Sequence, residues 1–241
     1  MQAGEKAIEY RYRFVFPDDK VVAFSVRLDQ AGFRVLDEPK AAYPAWVRLG
    51  NCRCPNCPLD ESQHPYCPAA AGVVDVIEFF KDASSRDTVL IEIESPARTY
   101  KKKGPLAMGV SALIGLQMAA SGCPVLGRLR AMVLTHLPFA NLDETLYRYL
   151  ANYMLAQYFR SRRGLSADWE MKGLIDMARG IREVNRSFSL RLHSACREDA
   201  GLNALAHLDC FAENAAFTLE KRGLDRLERA FSAYWTQDGN Q

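Results

Sequence analysis

LAMGVSALIGLQMAASGCPVLG, residues 106–127, is the stretch whose reading decides what kind of protein this chain forms. It carries no charged residue and follows Lys101, Lys102 and Lys103, the appearance of a membrane span with a basic flank. Its helical part is expected to stop at Ser121 and Gly122, ahead of Pro124. That leaves about fifteen residues, short of the roughly 20 that a bilayer requires, and Gln117 interrupts them. The segment therefore reads as a buried core helix, with no membrane involved.

Upstream of it the pattern is that of strands. Tyr10, Tyr12, Phe14 and Phe16 fall on one parity and Arg11 and Arg13 on the other, as in a half-buried strand. Pro17, Asp18, Asp19 and Lys20 make a turn into the β-branched and aromatic run 21–28, which predicts an antiparallel hairpin. A short run at 33–36 and another strand at 46–49 are expected before a cysteine-rich loop at 50–68. GVVDVIEFFK (72–81) has helical spacing, and TVLIEIE (88–94) returns to period two and rejoins the sheet.

Downstream the pattern is helical almost throughout. Asn141 and Glu144 stand at the spacing of a capping box and open a long helix that Gly164 closes. Another helix is expected after Ser166, and later ones over roughly 197–221 and 224–235. The expected architecture is α+β: an N-terminal antiparallel sheet with the Cys-rich loop (1–104), then a mostly helical bundle (105–241) packed on the sheet as one unit.

With 241 residues and 49% hydrophobic content, the chain can bury a large core. Its net charge of +2 gives no support for a nucleic-acid partner. Arg98 with Lys101–Lys103 beside Tyr100 is a compact basic patch, more simply a solvated strand end than an anion or RNA contact. The N-terminus has neither an apolar run nor a small-residue cleavage site, so a cytoplasmic setting is expected, where its seven cysteines stay reduced.

The cysteines carry the strongest chemical signal. Residues 51–68 read NCRCPNCPLDESQHPYCP, and Cys54, Cys57 and Cys67 there, with Cys123 in SGCP, are each followed by proline. Proline fixes its own φ and keeps the preceding residue extended, so such a thiol has less freedom to lose on binding. Cys54-x-x-Cys57 presents two sulfurs from a tight turn, as zinc knuckles do, and Cys67 adds a third. For the fourth ligand Cys123 ranks first by its Cys-Pro context, His64 second by proximity, and Cys52 third. Zinc is favoured over an iron-sulfur cluster, and both over thiols that merely pack in a rigid turn. Cys196 and Cys210 read as small buried hydrophobes on helices.

Two weaker groups could serve an enzyme. His136 precedes the helix carrying Glu144 and Arg148, which together would supply an acid/base pair and an anion anchor. The simpler reading gives Glu144 to the capping box and pairs Arg148 with it at i+4. Asp199, Asn203 and His207 line one helix face and would border a pocket with Asn185 and Arg191, unless they are its solvated side. No HExxH, phosphate loop or GxSxG elbow is present in the sequence.

CPNCPL at 54–59, HPYCPAA at 64–70, SGCP at 121–124, HLPF at 136–139 and the Glu144-Thr145 pair resemble an uncharacterised bacterial family of unknown function. The resemblance implies a bacterial, cytoplasmic setting and no activity. The expected function is that of a metal-binding protein whose mainly structural site has four cysteine ligands, or three cysteines and a histidine, the remainder serving as a binding module for a small ligand or protein. The alternatives are an enzyme with a pocket around His136, Glu144 and Arg148, and an iron-sulfur redox sensor or electron carrier.

Overall fold

In the computed structural model, residues 7–36, 40–195, 203, 204, 206, 208 and 224–235 are described. Strand β1 (Ile8–Val15) turns at Pro17–Lys20 into β2 (Val21–Leu28), and the turn closes with Phe16 N–H donating to the Lys20 carbonyl at 2.9 Å. Strands β3 (Thr88–Glu94) and β4 (Thr99–Pro105) complete a four-stranded antiparallel sheet of order β2-β1-β3-β4. The chain is an α+β protein.

The alternation seen in the sequence sorts the two faces. Tyr10, Tyr12, Phe14, Val22, Val26, Leu28, Val89, Ile91 and Ile93 are buried on one side. The other is polar, and there Glu92 pairs with Arg13 and with Lys101 (2.7 Å).

Helix α1 (Pro68–Phe80) and helix α2 (Leu106–Ala120) pack together over the apolar face. Gly109 lets α2 approach closely: a Cβ there would lie 2.6 Å from Phe14 Cε1 and 3.0 Å from Ile91 Cγ2. The helix ends as the sequence predicts, with Ser121 as its C-cap and Gly122 at φ +91°. A single cluster of buried side chains contains residues from the sheet and from α1, α2 and the later helices. No helix among the described residues is long and apolar enough to cross a membrane.

Beyond α2 come the short α3 (Arg130–Leu134), α4 (Leu142–Arg162) and α5 (Lys172–His193). The capping box at Asn141 is formed: its Oδ1 accepts Glu144 N–H at 2.9 Å and the Glu144 carboxylate accepts Asn141 N–H at 2.8 Å. Helix α5 starts later than Ser166, because Asp168 holds the intervening loop by accepting from Gly173 N–H (2.7 Å) and Tyr153 O–H (2.8 Å).

Two expected strands are absent, and of these residues 33–36 make only an isolated bridge, Val35 with Leu28. Residues 46–49 lie at a 3-10 turn, Ala45–Val47, with only Arg48 bridging to Tyr66. Pro44 caps the turn, and Trp46 is buried with its indole N–H on Glu78 at 3.2 Å, so its apolar character serves a corner of the core instead of a sheet. The expected helix at 197–221 lies mostly outside the described residues; in the last stretch, helix Asp225–Arg229 and a 3-10 turn, Ser232–Tyr234, are formed.

Candidate metal centre

Three separate pieces of backbone bring Cys54, Cys57, Cys67 and Cys123 to the wall of one small cavity. Cys54, Pro55, Asn56 and Cys57 form a turn in which Cys57 N–H donates to the Cys54 carbonyl at 3.0 Å, with proline at its preferred second position. Arg53 ties the loop down through Nη2 on the Leu59 carbonyl (2.6 Å), and Asn56 Nδ2 donates to Gly180 O of α5 at 2.9 Å. Cys67 is the N-cap of α1, with Pro68 at the first helical position, and its N–H donates to Val47 O at 2.9 Å. Cys123 follows Gly122, and its carbonyl accepts Gly127 N–H at 2.8 Å, so Pro124 again opens a helical turn. At each of these three places proline occupies a position where its fixed φ suits the turn and its missing N–H is not needed.

The void between the thiols is about 20 Å³, and Val125, Val184 and Phe188 help to wall it. A space of that size holds about one water-sized body. Burial pushes the Cys54 thiol up to about 11; the neighbouring Cys67, Cys123 and Cys57 add to the effect, while the Ser187 hydroxyl at its sulfur works the other way. Burial also raises the Cys123 thiol, against the backbone N–H groups of Leu126 and Val125 that point at its sulfur.

Arg191 completes the wall. It is 2% exposed, on α5, and none of the ion pairs among the described residues includes it. Its guanidinium instead donates to three carbonyls, those of Trp46, Arg48 (2.6 Å) and Leu49 (3.5 Å). Carbonyls take up three of its five N–H groups, and among the described residues its charge is uncompensated, a costly state in an apolar interior.

Among the described residues, no group of three or more His, Cys, Asp or Glu side chains is disposed so that it could hold a metal ion. The thiols share a cavity without meeting ligand geometry. As a donor set, four sulfurs with no oxygen ligand suit a soft or borderline metal. His64 and Cys52 are exposed and do not line the cavity. Cys196 and Cys210 lie outside the described residues.

The other candidates divide. His136 and Arg148 line a second cavity of about 480 Å³, which Glu144 does not reach. His136 Nε2 contacts the Tyr12 hydroxyl, its ring meets Tyr10 edge-on, and burial with the nearby Arg148 charge lowers it to about 3. At neutral pH it is therefore uncharged, and poorly matched to general acid/base work. Arg148 does not pair with Glu144, contrary to the i+4 expectation: Glu144 accepts from Asn141 N–H, and Arg148 Nη2 donates to Met132 O at 2.8 Å. Asn203 Nδ2 donates to Ser85 Oγ at 2.8 Å and does not line this cavity. Asp199 and His207 lie outside the described residues.

Asn185 and Arg191, expected to border one pocket, line different cavities, Asn185 the larger one and Arg191 the one with the thiols. Leu174, Met177, Ala178, Ile181, Val184, Phe188 and Leu192 form the buried stripe of α5, and both polar residues fall on it at helical spacing. A polar group on an apolar stripe is buried, and then requires a partner.

An antiparallel sheet covered by helices, with four thiols gathered where loop, α1 and the end of α2 meet, defines an α+β protein with a cysteine-lined centre. The chain belongs to the family described as a domain of unknown function (DUF6901), which it matches over residues 8–232. Comparison with curated proteins and with solved structures finds no match.

Proposed function

We propose that this protein is a metal-stapled binding module in which Cys54, Cys57, Cys67 and Cys123 clamp a single zinc ion. The observation that carries the reading is the convergence of these four thiols, from three separate backbone segments, on one cavity that also holds the uncompensated charge of Arg191. A zinc ion with four thiolates is a net dianion, and Arg191 supplies part of its counter-charge. Each thiol turns about a single side-chain torsion, so metal binding calls on changes of rotamer at these cysteines. A void of about 20 Å³ suits one ion and is too small for a multi-iron cluster.

The metal is structural. Four protein sulfurs fill a tetrahedral shell and leave no position open for substrate. The reduced thiols this requires are those of a cytoplasmic protein. The metal joins the Cys54–Cys67 loop to the end of α2, and the rest of the molecule binds a small ligand.

Metal analysis with a visible spectrum of anaerobically purified protein tests the assignment. One zinc per chain and no colour are expected; a brown protein would replace zinc with an iron-sulfur cluster. Cys57→Ser and Cys123→Ser should each lower metal content and melting temperature, whereas His64→Gln and Cys52→Ser should change neither. Metal content unaffected by both cysteine variants would overturn the reading.

A further inference from the structure

The second cavity lies between α2, residues 129–140, α4 and α5. Its volume of about 480 Å³ falls within the usual range of small-molecule sites. Most of the wall is apolar, with Met108, Leu116, Met132 and Phe139 among its residues, and none of the described lining residues is Asp or Glu.

Several polar groups in this wall have no partner among the described residues. Asn185 is 4% exposed, and its amide makes no hydrogen bond among the described residues. Ser111, 7% exposed, lines the same space. Arg148 spends Nη2 on Met132 O, leaving Nε without an acceptor, and the Tyr149 hydroxyl is also unpaired. Buried polar groups in native proteins are nearly always satisfied, so the unpaired Arg148 Nε and Tyr149 hydroxyl, with Asn185 on the same wall, point to an acceptor inside the space. Lys102, its ammonium 5.6 Å from the Phe139 ring centroid, adds a second positive charge to the wall.

We propose that this cavity binds an amphipathic organic anion: a molecule with an apolar body and a single carboxylate, its head at Arg148 and Asn185. The cationic groups and amide donor match an oxyanion, and the described lining residues offer no carboxylate to pair with an amine. The proposal deepens the small-ligand half of the function proposed above and is independent of the metal.

Displacement of the fluorescent probe anilinonaphthalene sulfonate from the full-length protein tests it, with decanoate, decanol and decylamine as competitors of equal chain length. Decanoate should displace the probe at a concentration at least tenfold below decanol, and decylamine should be weaker than either. In Arg148→Met the advantage of decanoate over decanol should disappear while decanol itself is unchanged. Equal displacement by all three, displacement by none, or tightest binding of decylamine would each overturn the proposal, and these outcomes are read on the wild-type protein even if the variant fails to fold. Zinc content measured on the same preparations reports on the metal site separately, and Arg148→Met should leave it unaltered.

Discussion

Arg191 Nη1 donates to the Arg48 carbonyl at 2.6 Å, which fastens the C-terminal part of α5 to the chain just ahead of the cysteine loop. The same guanidinium reaches the carbonyls of Trp46 and Leu49, so one buried side chain fixes the entry to the thiol cavity.

Arg191→Met should therefore destabilise the fold by about 2–4 kcal/mol, since it takes a donor from three carbonyls, of which Arg48 O keeps the Asn51 N–H, while relieving one buried charge. With zinc bound, the loss should be larger than in chelator-treated protein, because the variant also removes the counter-charge of the thiolates. Urea midpoints of both forms measure this; a variant as stable as wild type in both would remove Arg191 from the account.

Gly109→Ala tests the approach of α2 to the sheet. Alanine favours a helix over glycine by about 1 kcal/mol, but here its methyl meets Phe14 at 2.6 Å and Ile91 at 3.0 Å. Overpacking of this kind costs roughly 1–3 kcal/mol, so a net destabilisation of about 1–2 kcal/mol is expected, seen as a lower urea midpoint with an unchanged slope. A stabilised variant would mean that α2 sits farther from β1.

The His136 and Tyr12 pair sets a pH dependence at both ends. Unfolded, His136 takes up a proton near its ordinary 6.5; folded, it resists until about 3. The unfolded chain thus binds more protons across that window, and stability present above pH 6.5 is lost as pH falls through it. The loss between pH 6.5 and 4 should be on the order of 3 kcal/mol. Tyr12 works in the opposite direction: burial raises it well above 10, so stability declines once the unfolded phenol ionises above pH 10. His136→Gln should flatten the acid limb in pH-resolved urea melts and leave the alkaline limb in place.

How much of this was legible in the sequence differs from element to element. The alternation at Tyr10, Tyr12 and Phe14 identified β1, because a sheet with one wet face writes period two directly into the chain. Asn141 and Glu144 announced α4, since a capping box is a local contact between residues three apart. The Trp46 segment misled, because a buried corner and a strand draw on the same aromatic and β-branched residues. Strand order was not readable, as antiparallel pairing of β1 with both β2 and β3 is a long-range choice.

The site was legible in part. Cys-Pro adjacency singled out Cys54, Cys57, Cys67 and Cys123, the four that share the cavity, because proline suits the turns that present them. The Glu144 and Arg148 pairing failed because each found a nearer backbone partner. Arg191, expected beside Asn185 at one pocket, walls the thiol cavity instead, because the sequence alone does not reveal which carbonyls a distant helix will meet.

Strand β4 forms one border of the sheet, and Lys101, Lys102 and Lys103 stand exposed along it. Another chain adding a strand there would have to bring its backbone against a row of ammonium groups. Two copies meeting border to border would set these rows against each other, so the protein carries its own protection against ribbon-like aggregation on that side.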